Sequence, residues 1–331
     1  MKCGRSTFVP AVAEVRLAVR QALSALPVDA ARVLVALSGG ADSLALAAAT
    51  AFEARSRGLE VVSLTVDHGL QEGSSDAAER AAAQAASLGI RSRVTRVDVG
   101  AEGGPEAAAR EARYAALRAV AEEEGVAAVL LGHTLDDQAE TVLLGLARGS
   151  GAGSLQGMAA SRDDGVVWLR PLLGVRRETT RECCAASDLE PWDDPHNLDD
   201  RYARVRVRQQ VLPVLEAELG PRVAEALART ADQLREDAEA FDDMIAETIE
   251  DIVEHAEAGI AVSVAALAAN PAALRNRIIR HVVASEFGAS LSRVQTLEVA
   301  RLVTDWSGQG PIDLPGCTAE RRAGQIVFAA R

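Results

Sequence analysis

The chain has 331 residues and almost no lysine. Lys2 is the only one, so 34 of its 35 basic residues are arginine. That excludes a Schiff-base lysine inside the fold and a phosphate loop ending in Gly-Lys-Ser/Thr. Cysteine is scarce too. Cys3, Cys183, Cys184 and Cys317 include no C-x-x-C pair, which argues against zinc and iron–sulfur sites and fits a reducing, cytoplasmic compartment. The adjacent Cys183 and Cys184 read as two small buried apolar residues. No apolar run of about 18 residues is free of charge, so no membrane-spanning helix is expected. Residues 1–10 lack the long apolar core of a cleaved signal. Positive charge is in deficit, with 35 basic residues against 48 acidic ones and a net charge of -13. A nonspecific nucleic-acid coat would carry the opposite sign. The deficit is local, however. Between Asp232 and Glu257 stand eleven acids and one base, Arg235, so the acidity belongs mostly to one long helical segment.

What is present is a composition of 48% hydrophobic and 25% charged residues, long enough for two domains. Apolar runs at Arg32–Leu37, Val61–Val66, Arg91–Val97 and Val126–Leu131 read as strands. Helical stretches at 42–57, 75–88, 105–124 and 136–147 alternate with them. This alternation predicts a parallel sheet covered on both faces, with ligands at the carboxyl ends of the strands. Residues 148–164 form a glycine- and serine-rich loop. Residues 168–173 suggest a further strand and 178–187 a helix. Pro191–Asp200, with two prolines and four aspartates, reads as an ordered loop or linker. Beyond Pro213 the pattern turns helical (222–257, 271–287, 292–306), ending in a small hairpin within 311–330. The fold class is therefore α/β: a Rossmann-like parallel-sheet domain over 1–212, then a smaller, mainly helical domain over 213–331.

The first strand runs into Ser38-Gly39-Gly40-Ala41-Asp42-Ser43, which opens the first helix. Two glycines let the backbone approach a phosphate chain, and the helix N-terminus supplies free N–H donors. Ser38 and Ser43 add hydroxyls. Asp42 repels phosphate by itself but suits a Mg²⁺ ion shared with phosphate oxygens. The bland alternative is a strand–turn–helix capped by Asp42 or Ser43. The string resembles the loop of PP-loop, or N-type, ATP pyrophosphatases, which implies a substrate adenylated by ATP. Asp67-His68, at the end of the second strand, would lie beside the nucleotide or merely turn the chain.

The segment Gly132-His133-Thr134-Leu135-Asp136-Asp137-Gln138-Ala139-Glu140-Thr141 places three carboxylates in the first turns of a helix. Asp137 and Glu140 share a face. Carboxylates there can simply complement the helix dipole; facing ATP, they can hold Mg²⁺ or a cationic amine. This string, followed by Arg148-Gly149-Ser150-Gly151, closely resembles the tRNA(Ile)-lysidine synthetase family. So do Arg110 with Arg113-Tyr114, Arg170-Pro171-Leu172-Leu173, Asp194-Pro195-His196-Asn197, and Arg204-Val205-Arg206-Val207-Arg208 through Leu212-Pro213. Val205 departs from the family's usual asparagine. The resemblance covers residues 31–215 well and fits a short form of the family. It implies that ATP adenylates C2 of the wobble cytidine in a CAU-anticodon isoleucine tRNA. The ε-amine of free lysine then displaces AMP. It also implies that Ser38, Gly39, Gly40, Ala41, Asp42, Ser43, Gly132 and His133 hold the nucleotide. Asp42, His133, Asp137 and Arg113 become catalytic, and Asp137 and Glu140 bind lysine. Asp42 is the Mg²⁺ ligand, with Asp136 a second candidate. A homodimer is a family-level expectation.

Arg201, Arg204, Arg206 and Arg208 put four positive charges into eight residues. If helical, Arg201, Arg204 and Arg208 share one face, a phosphate-contacting stripe for tRNA or a solvated charged surface. Aromatics are only 3%, so stacking on bases falls to arginine planes or Tyr114, Tyr202 and Trp192. Two rival readings are a noncatalytic ATP-binding PP-loop module and a tRNA 2-thiocytidine synthetase. The first predicts decay of the loop or the acidic set, and both are intact. The second calls for a C-x-x-C pair, which is missing.

Overall fold

A computed structural model of the chain describes residues 9–69, 73–98, 105–149, 151–195, 199–256 and 259–331. Cys3, Ser150, His196, Asn197 and Glu257 of the sequence reading lie outside them. The chain divides into two compact units, Met1–Leu234 and Arg235–Arg331. Among the described residues no helix is long and apolar enough to cross a membrane.

The first unit opens with α1 (Pro10–Ser24), then β1 (Arg32–Ala36), α2 (Ala41–Arg55), β2 (Glu60–Asp67), α3 (Ser74–Ser87), β3 (Arg91–Arg96), α4 (Pro105–Glu124), β4 (Ala128–Leu130) and α5 (Leu135–Arg148). β5 (Ser161–Asp163), β6 (Val167–Leu169), α6 (Arg177–Ala186), α7 (Ala203–Arg206), α8 (Leu212–Leu219) and the start of α9 (Val223–Ile252) follow. The strands form one sheet in the order β3-β2-β1-β4-β6-β5. All neighbours are parallel except β5, an antiparallel edge beside β6. Period-two alternation sends Val33 and Val35 to the core under α1, α2 and α6, and Leu34 to the core under α4. β1 pairs with β2 on one side and β4 on the other. The direction of winding therefore reverses between β1 and β4, opening a crevice at their carboxyl ends.

The expected boundary near residue 212 falls inside this first unit. Leu212 of α8 and Ala224 and Ala228 of α9 pack on Leu135 and Ala139 of α5, so the segment after Pro213 is tied to the sheet domain. The division comes within α9 instead. The glycine-rich stretch 148–164 also carries more structure than expected: a short 3-10 turn, Ala152–Leu155, and β5. α1 escaped the sequence reading altogether. Ala11, Val15, Val19 and Leu23 recur every four residues and are buried, while Arg16 and Arg20 each pair with Glu53 of α2 at 2.8 Å.

The second unit is less purely helical than expected. α9 stops at Ile252. β7 (Val253–Ala256), β8 (Gly259–Ser263), α10 (Val264–Ala269), α11 (Ala272–Phe287), α12 (Arg293–Thr304), β9 (Ile312–Leu314), β10 (Cys317–Arg322) and β11 (Gln325–Ala330) follow. The terminal hairpin is thus three strands of a five-stranded antiparallel sheet, ordered β7-β8-β11-β10-β9. The alternating Ile260, Val262, Ile326 and Phe328 line its core with Ile278, Val282 and Leu302. The acids Glu236, Asp237, Glu239, Asp242, Asp243 and Glu247 of α9 are exposed.

Docking of α1 is open to test. Leu23 is fully buried, so Leu23→Ala is expected to cost about 2–5 kcal/mol, read as a lower urea midpoint. A wild-type midpoint would contradict the packing of α1 on α2 and α6.

Candidate active site

The crevice between β1 and β4 is a cavity of about 770 Å³, within the size range of small-molecule sites. Ser38, Gly40, Ala41, Asp42 and Ser43 form one wall. Gly39 turns the chain at φ +83, where an added Cβ would also press on the Ala81 side chain at 3.2 Å. The two serines brace the loop: Ser43 Oγ accepts from Ser38 N at 3.1 Å, donates to the Gly40 carbonyl at 2.9 Å, and lies 3.1 Å from Ser38 Oγ. Gly40 is the N-cap of α2, so the first-turn N–H groups of that helix face the cavity wall. Gly132, at the end of β4, is held to glycine by close approach. A Cβ there would meet the Asp42 backbone at 3.1 Å.

The N-terminus of α5 lines the same cavity. Asp137 closes a capping box: its Oδ2 accepts from Thr134 N at 2.8 Å and Thr134 Oγ1 at 3.0 Å. Its Oδ1 takes Nη2 of Arg177 at 2.9 Å. Burial works against the Asp137 charge, but Arg177, the Thr134 N–H and His133 outweigh it and hold its pKa below the ordinary value. Beside it, burial and the nearby Arg170, Arg113 and Arg110 outweigh the pull of Asp137. They push His133 down to about 4, so the imidazole is neutral at pH 7. Its buried Nδ1 has no hydrogen-bond partner. Arg113 lines the same cavity, its guanidinium pKa lowered by burial and by Arg110.

Glu140 departs from its expected place. It is fully buried and does not line the cavity. Its Oε1 accepts from Arg208 Nε at 2.7 Å and Arg177 at 3.2 Å. Its Oε2 accepts from Arg204 Nε at 3.0 Å and Arg208 Nη2 at 3.1 Å. A buried carboxylate requires such pairing, so Glu140 is an anchor for three arginines. Asp136 also turns away from the proposed metal role. Its Oδ2 accepts the Arg177 backbone N–H at 2.8 Å, which makes it the cap of α6. Arg201, Arg204 and Arg208 do not form one stripe. Arg204 and Arg208 turn inward to Glu140, while exposed Arg201 pairs with Asp199 and Arg206 donates to the Asp200 and Arg201 carbonyls. Val205, the departure from the family pattern, is buried.

The sequence reading placed a helix at 178–187 but missed the part that α6 (Arg177–Ala186) plays in the site. Thr180 Oγ1 hydrogen-bonds Asp42 Oδ1, and Arg177 Nε lies 3.6 Å from Asp42 Oδ2. Arg177 and Thr180 are three apart on one helix and both reach Asp42; the Arg-x-x-Thr spacing just after Arg170-Pro171-Leu172-Leu173 was the available signal. Burial offset only in part by Thr180 and Arg177 raises Asp42 to about 6. Tyr114 stacks on Trp168 at 5.0 Å, and Arg110 lies over the Tyr114 ring at 4.8 Å. Among the described residues, no three His, Cys, Asp or Glu side chains are grouped to hold a metal. One carboxylate sharing an ion with phosphate oxygens is the usual Mg²⁺ arrangement, and Asp42 beside the loop fits that use.

Comparison with known proteins places residues 14–215 in the PP-loop domain family and residues 263–327 in the TilS substrate binding domain family. The chain is 60% identical over 300 residues to a tRNA(Ile)-lysidine synthase of Leifsonia xyli, covering 90% of each chain. It is 50% identical over 326 residues to one of Thermobifida fusca, covering 97% of this chain and 98% of that one. A U34-tRNA thiolase from Methanococcus maripaludis, carrying a [4Fe-4S] cluster, superposes with a TM-score of 0.59 at 21% identity, over 68% of this chain and 80% of that one, which shows a shared fold.

The raised Asp42 pKa has a pH signature. The native state binds this proton more tightly than the unfolded chain does. The stability it brings is therefore full below about pH 4 and is lost as pH rises through 6. Relative to Asp42→Asn, the wild type is expected to gain about 2 kcal/mol between about pH 7.5 and 4.5. Urea unfolding at both pH values checks this; a pH-independent difference would contradict the burial of the charged carboxylate.

Proposed function

The chain belongs to the tRNA(Ile)-lysidine synthase family, a carbon–nitrogen ligase acting on tRNA with ATP, and from that premise we propose how its cavity divides the work. The observation that supports the reading is that the N-terminus of α2 and the His133–Asp137 pair line one cavity. ATP is bound with its pyrophosphate against Ser38, Gly39, Gly40, Ala41 and Ser43. Mg²⁺ on Asp42 and the phosphate oxygens would neutralise their charge. Gly132 leaves the loop room to close on β4.

The C2 oxygen of the wobble cytidine attacks the α-phosphorus, releasing pyrophosphate. Neutral His133, with its unpartnered Nδ1, and the half-buried Arg113 stand at this centre and stabilise the charge that develops. Free lysine is the second substrate. Its ε-ammonium is oriented by Asp137, which lines the cavity, with Glu140 behind it. After losing a proton the amine attacks C2, and AMP departs. Arg204 and Arg208 line the cavity, and Arg201 and Arg206 are exposed; their positive charge supports a role against tRNA phosphates. A CAU-anticodon isoleucine tRNA is the proposed acceptor, in the cytoplasm where tRNA and ATP are at hand.

Labelled lysine, ATP, Mg²⁺ and a CAU-anticodon isoleucine tRNA transcript test the reading together. Lysine enters the RNA with wild-type protein, and Asp42→Asn lowers the rate by at least about 100-fold. Failure of lysine to enter the RNA while ATP still binds would overturn the assignment. Asp137→Asn is expected to raise the KM for lysine about tenfold with a smaller change for ATP; equal changes would remove Asp137 from the amine site.

A further inference from the structure

The proposed amine position is already filled by the protein's own cation. Arg177 Nη2 lies 2.9 Å from Asp137 Oδ1 and 3.2 Å from Glu140 Oε1, and Nε lies 3.6 Å from Asp42 Oδ2. One guanidinium thus links the nucleotide side of the site to the amine side. Burial opposes its charge, but Asp137, Glu140, Asp42 and Asp136 hold its pKa above the ordinary value. The backbone of Arg177 is pinned, because its N–H is the donor capped by Asp136. Its side chain lines the cavity and keeps 19% of its surface exposed. The long arm can therefore move while α6 stays in place.

From this geometry we infer that Arg177 is an exchangeable counter-ion that couples the two substrates. Without nucleotide it closes the Asp137–Glu140 site to lysine. Bound ATP brings phosphate oxygens to the loop beside Asp42, and a guanidinium pairs with phosphate through two parallel hydrogen bonds. Arg177 swings onto these oxygens and leaves Asp137 to the ε-ammonium. Glu140 keeps Arg204 and Arg208, so its buried charge stays paired during the exchange. Nucleotide binding then strengthens lysine binding, and by reciprocity lysine strengthens nucleotide binding. Arg177 acts as a positioning residue that favours joint assembly, with lysine held weakly until the nucleotide is in place.

This inference rests on lysine being the amine substrate, and the experiment separates the two claims. Lysine affinity is measured calorimetrically with and without Mg²⁺ and a nonhydrolysable ATP analogue, on wild type, Arg177→Gln and Arg177→Lys. Wild type is expected to bind lysine about tenfold more tightly with the analogue, within the usual range of coupling between sites. Arg177→Gln is expected to bind lysine without nucleotide about as tightly as the loaded wild type, leaving a coupling below about twofold. Arg177→Lys restores a competing cation and with it the weak nucleotide-free affinity. A merely structural role would weaken both ligands together in Arg177→Gln and leave no rescue by lysine. Unchanged or weaker nucleotide-free affinity in a folded Arg177→Gln overturns the inference. If that variant does not fold, the wild-type arm decides, because lysine binding indifferent to nucleotide overturns it alone. No lysine binding in either state overturns the substrate reading as well.

Discussion

Four carboxylates, Asp42, Asp136, Asp137 and Glu140, converge at one end of the sheet, and their mutual repulsion in a poorly hydrated cleft is the constraint that the site is built around. Desolvation alone disfavours each of their charges. The solution is a set of arginines. Arg177 meets all four, through its side chain to three and its backbone N–H to Asp136. Arg204 and Arg208 complete the pairing of Glu140. Breaking such a buried cluster by removing one partner is costly, typically about 3–5 kcal/mol. Planar guanidinium forks suit this better than ammonium groups, since one Arg177 reaches several oxygens in different directions. With Lys2 the only lysine, arginine carries all of this pairing.

The cluster also joins elements distant in sequence. Asp42 comes from the first turn of α2 after β1, Asp137 and Glu140 from the helix after β4, and Arg177 from α6, beyond the glycine-rich segment. The reversal of winding between β1 and β4 brings the first two together. Arg170, after β6, then hydrogen-bonds the Ala159 carbonyl, and Gln138 clamps Met158 through both its amide atoms, so the chain leading to α6 is fixed against α5. Catalytic geometry in this protein depends on ion pairs as much as on the sheet.

Much of this arrangement was legible in the sequence. The strand–helix alternation, Ser38–Ser43 at a helix start and the carboxylates three and four apart each carry local signals that survive folding. Three features were not legible, for physical reasons. α1 hid because alanine is silent about burial and only Val15, Val19 and Leu23 marked its face. β7 hid behind a long helical pattern, and β8 is a short strand whose partners are β7 and β11, the latter distant along the chain. The roles of Glu140, Asp136 and Arg177 hid because a carboxylate at a helix start looks the same whether it faces a ligand or an arginine from a later helix. The charge deficit likewise misleads when taken whole. It resides in the exposed acids of α9, while the cavity is lined by Arg110, Arg113, Arg177, Arg204 and Arg208.

The most direct test of the ion-cluster account is a crystal structure with Mg²⁺, a nonhydrolysable ATP analogue and lysine bound together. The account predicts the Arg177 guanidinium on phosphate oxygens, the lysine ammonium within hydrogen-bond distance of Asp137, and Glu140 still holding Arg204 and Arg208. Arg177 remaining on Asp137 and Glu140 with lysine seated elsewhere would contradict it.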